Sequence, residues 1–378
     1  MADTGNHTIT LLAGGDIGPI VEPTDQFAEL ISPVLREADL RFGQCERSYS
    51  ARASVPAPGV LRTSRHPREA SVWKTAGIDI ISMASNHTMD SGAGALLDTI
   101  DLFRDMGKQC IGAGKNIVEA RKPAVVERNG VTIAFLGYCS VLPNGHEAGE
   151  DKAGCVPMRA HTYYQRGEDP IEEYQPGTPP KIYTAPYEED LKALQDDIRR
   201  AKRSADAVVM SIHWGLHHIP KTIADYQPAV AHAAIDAGAD LILGHHPHIL
   251  KAIEVYKGKV CFYSLGNFMI TGGGRLRTMA LWDLCWHRMD PECMSPHGLF
   301  TFPSDSRKTM VAKAVFGTRG VERVSFLPAF INPRAQPAVV PPGDPRFQEI
   351  LEYMEWISDQ YPHKFQVEGN EVVVDALS

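Results

Sequence analysis

The segment ADLILGHHPHIL (residues 239–250) places three histidines directly after a run of apolar residues. A short apolar run that follows the helix-like stretch PAVAHAAIDAG (228–238) is typical of a buried strand in an α/β protein. The three histidines, His245, His246 and His248, would then lie at the carboxyl end of that strand. A lone histidine there is usually a hydrogen-bonded polar residue, so the rest of the chain decides whether this is a metal site, a catalytic base or a polar turn.

The same alternation of short apolar runs and helical patterns continues along the chain. Six further segments have buried-strand patterns: TITLLAGGD (8–16), LRFGQCE (40–46), IDIISMASNH (78–87), VTIAFLGYC (131–139), ADAVVMSIHWG (205–215) and KVCFYSLGNF (259–268). Four have helical patterns: PTDQFAELISPVLREA (23–38), HPREASVWKTAG (66–77), GAGALLDTIDLFRDMG (92–107) and DPRFQEILEYMEWISDQY (344–361). Pro33 must interrupt or kink the first of these. The alternation predicts a layered α/β fold.

Two irregular segments interrupt this rhythm, at about 143–187 and 271–308. Long irregular segments in a compact domain are often lids or binding loops. We find no internal repeat and no linker that would define a second domain. The prediction is therefore a single domain over residues 1–378, with these two segments as loop insertions.

Composition narrows the possible partners and the compartment. The net charge is −8, which argues against a nucleic acid or an anionic membrane as partner. No apolar stretch approaches the roughly 18 residues of a membrane span, and the amino terminus does not have the pattern of a signal peptide. Seven scattered cysteines without a C-x-x-C pair favour a reducing cytoplasm. The oligomeric state is not indicated.

Polar side chains recur at the ends of the predicted strands, where ligands bind in open α/β sheets. They are Asp16, Glu46, Asn86 with His87, His213, the three histidines of GHHPH, and Asn267. Carboxylate and amide oxygens suit Mg, Ca and Mn, and imidazole suits Mn, Fe and Zn. The set therefore predicts one divalent cation, with Ca, Mg or Mn favoured over Zn or Fe.

Six ordered motifs carry a resemblance to a known family: GGDIG, RFGQCE, MASNHTMDSG, SIHWG, GADLILGHHPHIL and EVYKGKVCFYSLGNF. They resemble the signatures of the CapA/PgsA family, named for poly-γ-glutamate capsule synthesis, within the calcineurin-like metallophosphoesterase superfamily. The resemblance runs from about residue 8 to 270. It implies a four-layer α/β/β/α sandwich with a metal site at the carboxyl edges of its sheets.

The resemblance also implies roles for individual residues. The metal ligands would be Asp16, Glu46, Asn86, His213, His246 and His248, with His245 the least constrained of its triplet. His87 would be the catalytic histidine, with Asp90 to orient it or pair with its charge. Asp16, His213 and His246 complete the candidate catalytic set. Gly18 replaces the histidine of the superfamily's Asp-x-His motif, which makes a second metal doubtful.

Candidate substrate contacts lie beside these ligands or in the irregular segments. They are Trp214, His217, Asn267 and Arg275. His217 is also a candidate proton donor or a plain surface histidine. Arg275 ends the glycine-rich stretch TGGGR (271–275), which either holds a phosphate or carboxylate on backbone N–H groups or acts as a hinge.

Three functions remain open. In each of them the substrate or binding partner is a peptide, a peptide-like carboxylate or a related anion. Because a single cation can anchor a carboxylate while His/Asp pairs move protons, the preferred hypothesis is Cα epimerisation of a ribosomal peptide. The resembled family includes such lasso-peptide epimerases. The alternative is a metal-dependent hydrolase of a phosphoester or a γ-glutamyl amide, and the third reading is a non-catalytic capsule-assembly factor.

Overall fold

The computed structural model describes residues 7–52, 65–166, 175–272 and 298–375. Its strands are β1 Ile9–Gly18, β2 Leu40–Cys45, β3 Ile80–Ser82, β4 Gln109–Ile111, β5 Ala113–Gly114, β6 Ala124–Arg128, β7 Val131–Cys139, β8 Gly154–Cys155, β9 Ala160–Gln165, β10 Lys181–Pro186, β11 Ala207–His213, β12 Leu241–His245, β13 Ile253–Tyr256, β14 Lys259–Phe262, β15 Asn267–Ile270, β16 Lys308–Gly317, β17 Gly320–Ile331, β18 Pro337–Val339, β19 Lys364–Glu368 and β20 Glu371–Asp375. Its α-helices are α1 Ser32–Leu35, α2 Ser71–Thr75, α3 Gly92–Asp105, α4 Ile117–Ala120, α5 Glu188–Lys202, α6 Tyr226–Ala237 and α7 Pro345–Ser358.

Two large sheets organise the chain. The first has the order β19-β20-β17-β16-β1-β2-β3-β4, with β15 also paired to β1 and β18 to β17. Its half from β1 to β4 is parallel, and β16 joins β1 in antiparallel orientation. The second sheet has the order β13-β14-β12-β11-β7-β6, with four central parallel strands and antiparallel strands at both edges. The carboxyl-terminal strands therefore extend the sheet that β1 begins.

Three apolar clusters define the layers. The central cluster contains side chains from both sheets, such as Phe42 and Phe135, whose ring centroids are 6.4 Å apart. A second cluster joins the outer face of the first sheet to α2 and α3 through Trp73 and Phe103. A third joins the outer face of the second sheet to α5 and α6. This arrangement confirms the predicted four-layer α/β/β/α sandwich.

The predicted helices are confirmed where the helical pattern of apolar residues extends over many residues. Where a proline interrupts the pattern, the observed helix is shorter than predicted. The helix predicted over residues 92–107 is α3, Gly92–Asp105, with Gly107 in the left-handed region after its last turn. Pro33 does not kink one long helix. It lies in the first turn of the short helix α1, after a separate 3-10 turn over Thr24–Ala28, because proline lacks the N–H that a helix interior needs.

The prediction of one strand over residues 259–268 is wrong. The chain leaves the second sheet at the end of β14 and enters the first sheet as β15. Gly266 makes this change possible because its φ of +71° is favourable only for glycine. Asn267 therefore begins a strand rather than closing one, and it pairs with Asp16 across the parallel ladder.

The predicted irregular segment at 143–187 contains regular structure. It includes β8 and a two-stranded antiparallel hairpin of β9 and β10, which stands apart from the large sheets. Most of the second segment, 271–308, lies outside the described residues, and the single-domain assignment stays a prediction. Within the described ranges, no helix has the length and apolar content that crossing a membrane would require.

Candidate metal centre

The candidate centre lies where the carboxyl ends of β1, β2, β11 and β12 meet. Asp16 reaches it from β1 through a close approach of two backbones. A Cβ on Gly15 would lie 2.0 Å from the carbonyl oxygen of Gly266, so only glycine fits there. The N–H of Asp16 donates to that carbonyl oxygen at 3.0 Å. Gly15 thus allows β1 to pack closely against the turn before β15. This contact fixes the backbone position of Asp16, and with it the position of its carboxylate.

Glu46 follows β2 and lies between two groups of possible ligands. Its Oε1 is 3.8 Å from Nε2 of His213 and 3.6 Å from Nε2 of His248. Its Oε2 accepts a hydrogen bond of 2.5 Å from Oγ of Ser85, which is fully buried. Ser85 therefore orients one carboxylate oxygen and leaves the other facing the histidines.

The first group of ligands joins β3 to the second sheet. Oδ1 of Asn86 lies 2.8 Å from Nε2 of His213, and Nδ1 of His246 lies 3.2 Å from the same nitrogen. One imidazole ends β11, and the other follows β12. His213 and His246 are buried, whereas Asn86 is half-buried. Three donors from three elements thus face a common space.

The second group of ligands centres on Asp16. Nδ1 of His248 lies 3.3 Å from Oδ2 of Asp16 and 2.8 Å from Oδ1 of Asn267. Because the amide oxygen of Asn267 accepts, Nδ1 carries a proton, and Nε2, toward Glu46, is the nitrogen that a metal ion would bind. This is the arrangement in which a neighbouring oxygen orients a metal-binding imidazole.

His245 is more constrained than its place in the motif predicted. It is fully buried, its ring stacks on Phe42, and its Nδ1 lies 3.5 Å from Oδ1 of Asp16. It ends β12 opposite His213 in the parallel ladder. Its position is therefore behind Asp16, on the core side of the centre.

The turn that carries the last two histidines has unusual backbone angles. The φ angles of His246 and His248 are +97° and +57°, in the left-handed region that residues with a Cβ rarely adopt. Each such angle costs about 1–3 kcal/mol and is retained where the surrounding structure requires it. Here it turns both imidazoles toward Asp16, Glu46 and His213, so the strain accompanies ligand placement.

The two carboxylates keep their negative charge despite burial. Burial alone would raise the pKa of Asp16, but the nearby imidazoles of His245 and His248 outweigh it and hold that pKa well below its usual range. Burial would likewise raise the pKa of Glu46, and the charge of His213 helps to lower it. Two buried anions in one cleft attract a cation.

The imidazoles of the centre differ in protonation because they have different neighbours. Burial lowers the pKa of His213 to about 4 and that of His246 well below its ordinary value, so both are neutral near pH 7. Burial opposes protonation of His248 too, but Asp16 raises its pKa above the ordinary value. Neutral imidazole is the form that binds a metal ion.

The donor set fits a divalent cation. Oδ1 of Asp16 and Oε1 of Glu46 are buried carboxylate oxygens that lack a hydrogen-bond partner among the described residues. One ligand atom each from Asp16, Glu46 and His213 lie within 4.8 Å of one another. A bound cation would satisfy both oxygens, and the mix of oxygen and nitrogen donors suits Mn better than Mg or Ca alone.

A histidine–aspartate pair borders the donors. Nδ1 of His87 lies 2.6 Å from Oδ2 of Asp90, which is buried, whereas the His87 ring is one-quarter exposed. His146, from the segment at 143–187, contacts the backbone of Asn86 and is near both members of the pair. The hydrogen bond to Asp90 therefore orients His87 at the partly exposed edge of the centre, and Nε2 of His87 has no hydrogen-bond partner among the described residues.

The predicted substrate contacts are only partly placed at this opening. His217 is there: its ring centroid is 3.9 Å from that of His246. Trp214 is fully buried, stacks on Tyr263 and donates its indole N–H to the carbonyl oxygen of Tyr263, so it packs in the core and its prediction as a substrate contact is corrected. Asn267 is also fully buried and holds His248 instead. Arg275 lies outside the described residues.

Replacing Asn267 tests its orienting role. Asn267→Ala removes the hydrogen bond to His248 and frees the imidazole to rotate, so we expect the affinity for Mn²⁺ to fall by about 10- to 100-fold. Isothermal titration of EDTA-treated protein with Mn²⁺ measures this change. Asn370→Ala, at the turn between β19 and β20, is the control. An unchanged Mn²⁺ affinity in Asn267→Ala would contradict the assignment of His248 as a ligand.

The fold and the donor set together define a class: a four-layer α/β/β/α protein with a buried carboxylate–imidazole centre at the sheets' carboxyl edges. Within this class, the chain belongs to the family described as bacterial capsule synthesis protein PGA_cap, whose sequence model matches residues 5–271. All the predicted ligands lie inside that range.

Curated relatives support the family assignment. The chain is 32% identical over 260 residues to the PGA biosynthesis protein CapA of Bacillus subtilis, covering 68% of this chain and 60% of that protein. It is 30% identical over 279 residues to the capsule biosynthesis protein CapA of Bacillus anthracis, covering 71% and 61%. A probable polyglutamine synthesis accessory protein of Mycobacterium tuberculosis is 28% identical over 210 residues, covering 53% and 48%. The chain thus matches about three-fifths of the length of the two CapA proteins.

Similar solved structures have low sequence identity. The calcineurin-like phosphoesterase YfkN of Bacillus subtilis is 12% identical, with a TM-score of 0.35, over 93% of this chain and 98% of that one. GAP50, described as the anchor in the inner membrane complex of Plasmodium, is 10% identical, with a TM-score of 0.33, over 93% and 96%.

Proposed function

We propose that this protein is a metal-dependent hydrolase of an anionic substrate, either a phosphoester or a γ-glutamyl amide of the polyglutamate type. One observation carries the proposal. Oε1 of Glu46 lies between the imidazoles of His213 and His248, and the His87–Asp90 pair borders the same donors. This proximity supports the proposal, because metal-assisted hydrolysis requires cation-binding groups and a proton-transferring group within one cleft.

Each residue has a role that its contacts support. Asp16, Glu46, Asn86, His213, His246 and His248 would hold the cation. When bound, a divalent cation supplies Lewis acidity to the scissile group and lowers the pKa of water. His87 faces the opening and would protonate the leaving group, while Asp90 fixes its ring orientation through Nδ1. Ser85 keeps the Glu46 carboxylate in place.

Epimerisation of a peptide stays a prediction with less support. It requires two groups that exchange protons on opposite faces of one carbon. Besides His87, the histidines near the opening include His146 and His217, and burial lowers the pKa of both, that of His217 to about 3. An imidazole with so low a pKa is a weak base for removing a proton from carbon, so the described residues favour hydrolysis. A purely structural role does not account for the hydrogen-bonded His87–Asp90 pair.

His87→Ala tests the proposal. We expect the variant to bind as much Mn²⁺ as the wild type while its kcat for γ-glutamyl-p-nitroanilide falls by about 100- to 10,000-fold, since a general acid contributes that much when the leaving group must be protonated. If the wild type hydrolyses p-nitrophenyl phosphate instead, phenyl phosphate is the substrate for this comparison, because p-nitrophenolate leaves without a proton. Metal content is measured by elemental analysis and turnover by the release of the chromophore or of phosphate.

The control and a second assay separate the alternatives. His7→Ala removes an exposed histidine just before β1, at the end of the strand opposite Asp16, and should leave kcat unchanged. Incubation of a peptide in heavy water with the wild type detects Cα inversion as deuterium uptake without hydrolysis. Full activity of His87→Ala, no turnover of either chromogenic substrate by the Mn²⁺-loaded wild type, or deuterium uptake alone would each overturn the hydrolase assignment.

A further inference from the structure

Arg47 occupies the space beside Gly18. A Cβ built on Gly18 would lie 2.8 Å from Cγ and 3.2 Å from Nε of Arg47. Nε of Arg47 donates to the carbonyl oxygen of Gly18 at 3.4 Å. The aliphatic part of the Arg47 side chain therefore occupies the space where a side chain at position 18 would begin. Arg47 directly follows the candidate ligand Glu46 in the sequence.

The guanidinium lies among the charges of the candidate centre. Burial lowers the pKa of Arg47, and the acidic groups that oppose this effect are Glu46, Tyr49 and Asp90. The guanidinium therefore lies near Glu46 and Asp90, beside the candidate centre. An arginine keeps its proton at any pH at which the protein is folded, so this position carries a permanent positive charge.

That charge has no salt bridge to a carboxylate among the described residues. Glu46 and Asp90 face other partners, Ser85 and His87, and the nearby Arg65 is paired with Glu69. The one side-chain hydrogen bond that Arg47 makes within the described part of the chain uses Nε, so its two terminal nitrogens have no hydrogen-bond partner there. A half-buried guanidinium without a carboxylate is a binding group for an anion.

A count of charges supports the same conclusion. The negative charges of Asp16 and Glu46 balance one divalent cation, and the charge of Asp90 is balanced by His87 when that imidazole is protonated, as its role as general acid requires. The charge of Arg47 is then left over beside the candidate metal ligands, and an incoming anion would neutralise it. Arginine also presents its N–H groups in a planar fork that matches the paired oxygens of a carboxylate or a phosphate.

We propose that Arg47 binds the anionic oxygens of the substrate and sets the preference of this site for anionic substrates. This inference rests on the proposed hydrolase function, because it names a recognition residue for that reaction. The shared chemistry is a pair of oxygens bearing negative charge, supplied by a phosphate group or by the α-carboxylate of a γ-glutamyl group. Arg47 is a binding residue and not one of the metal ligands.

The kinetic experiment uses the Mn²⁺-loaded full chain and the variants Arg47→Met and Arg47→Lys. The substrates are p-nitrophenyl phosphate, γ-glutamyl-p-nitroanilide, and 4-aminobutyryl-p-nitroanilide, which lacks the α-carboxylate. For the substrate that the wild type hydrolyses, we expect Arg47→Met to raise KM by about 10- to 100-fold, the effect of losing a charge-assisted hydrogen bond. Arg47→Lys should recover part of this loss because it keeps the charge but not the fork.

The two anionic substrates distinguish phosphate from carboxylate as the recognised group. If the carboxylate is recognised, 4-aminobutyryl-p-nitroanilide should be a poor substrate for the wild type and equally poor for Arg47→Met. Arg68→Met, which removes an exposed arginine paired with Glu22, is the matched control and should not change KM. Elemental analysis and the thermal unfolding midpoint should be the same for wild type and both Arg47 variants.

The outcomes also separate this inference from the proposed function. If the wild type hydrolyses neither anionic substrate, the hydrolase function fails, and calorimetric binding of inorganic phosphate and of γ-glutamylglutamate then tests Arg47 alone. At least a tenfold weaker binding of one anion by Arg47→Met supports the inference. It is overturned if Arg47→Met loses Mn²⁺, if KM rises equally for the substrates with and without the anionic group, or if neither KM nor anion binding changes.

Discussion

Glu46→Gln should lose both Mn²⁺ binding and hydrolytic activity. Glutamine has nearly the same shape as glutamate, but it removes the charge that lies between His213 and His248. Oε1 of Glu46 is buried without a hydrogen-bond partner among the described residues. No neighbouring group would therefore replace the lost negative charge in the variant. We expect Mn²⁺ affinity to fall by more than the roughly 100-fold that the loss of an outer partner can cost.

The activity of Glu46→Gln should fall below that of His87→Ala, by at least about 10,000-fold, because both the cation and its Lewis acidity are lost. Calorimetry with Mn²⁺ and release of p-nitrophenol at saturating Mn²⁺ measure the two effects. Glu37→Gln, which changes an exposed glutamate just after α1, is the matched control. Wild-type Mn²⁺ affinity in Glu46→Gln would remove Glu46 from the ligand set.

The fold was predictable because its signals are local. The apolar run at residues 131–139 predicts β7 to the residue, and the helical period from residue 92 predicts α3. Short elements such as β3, with three residues, could not be delimited, because their pairing partners are distant in sequence. The division of residues 259–268 between two sheets depends on the backbone of Gly266, which an apolar pattern does not encode.

The convergence of the candidate ligands was predictable because parallel strands bring their carboxyl ends to one edge. Asp16, Glu46 and His213 each follow an apolar run, and the structure places their ligand atoms together. Trp214 follows His213 immediately, and the sequence placed it at the site too. In a strand, successive side chains point to opposite faces, so the residue after an inward histidine points into the outer apolar layer.

The groups around the ligands could not be predicted in the same way. Ser85 contacts Glu46 across 39 positions of sequence, and His146 reaches Asn86 from an irregular segment. One feature of the sequence pointed toward Arg47: the glycine at position 18 leaves room for the side chain of a neighbouring residue. Which neighbour fills that room depends on the packing of β1 against β2, which only the three-dimensional structure provides.

Acidification should destabilise the metal-free protein between about pH 6.5 and pH 4. The unfolded chain binds a proton at His213 near the ordinary pKa of about 6.5, whereas burial lowers the folded pKa to about 4. A lowered histidine pKa contributes stability that is present above the unfolded value and is lost as pH falls toward the folded one. The loss from His213 alone is about 3 kcal/mol, and His246 acts in the same direction.

The other groups of the centre do not cancel this trend. The raised pKa of His248 affects stability only above the ordinary histidine value, and the lowered pKa values of Asp16 and Glu46 matter only below the ordinary range of carboxyl groups. Urea unfolding in EDTA at pH 6.5, 5.5 and 4.5 measures the slope. His213→Gln should flatten it, because glutamine takes up no proton, whereas His7→Ala should not. An equal slope in His213→Gln and the wild type would mean that groups other than His213 cause the loss of stability in acid.

Because protons and the cation compete for the same nitrogens, Mn²⁺ should stabilise the wild type strongly at pH 7 and weakly at pH 5.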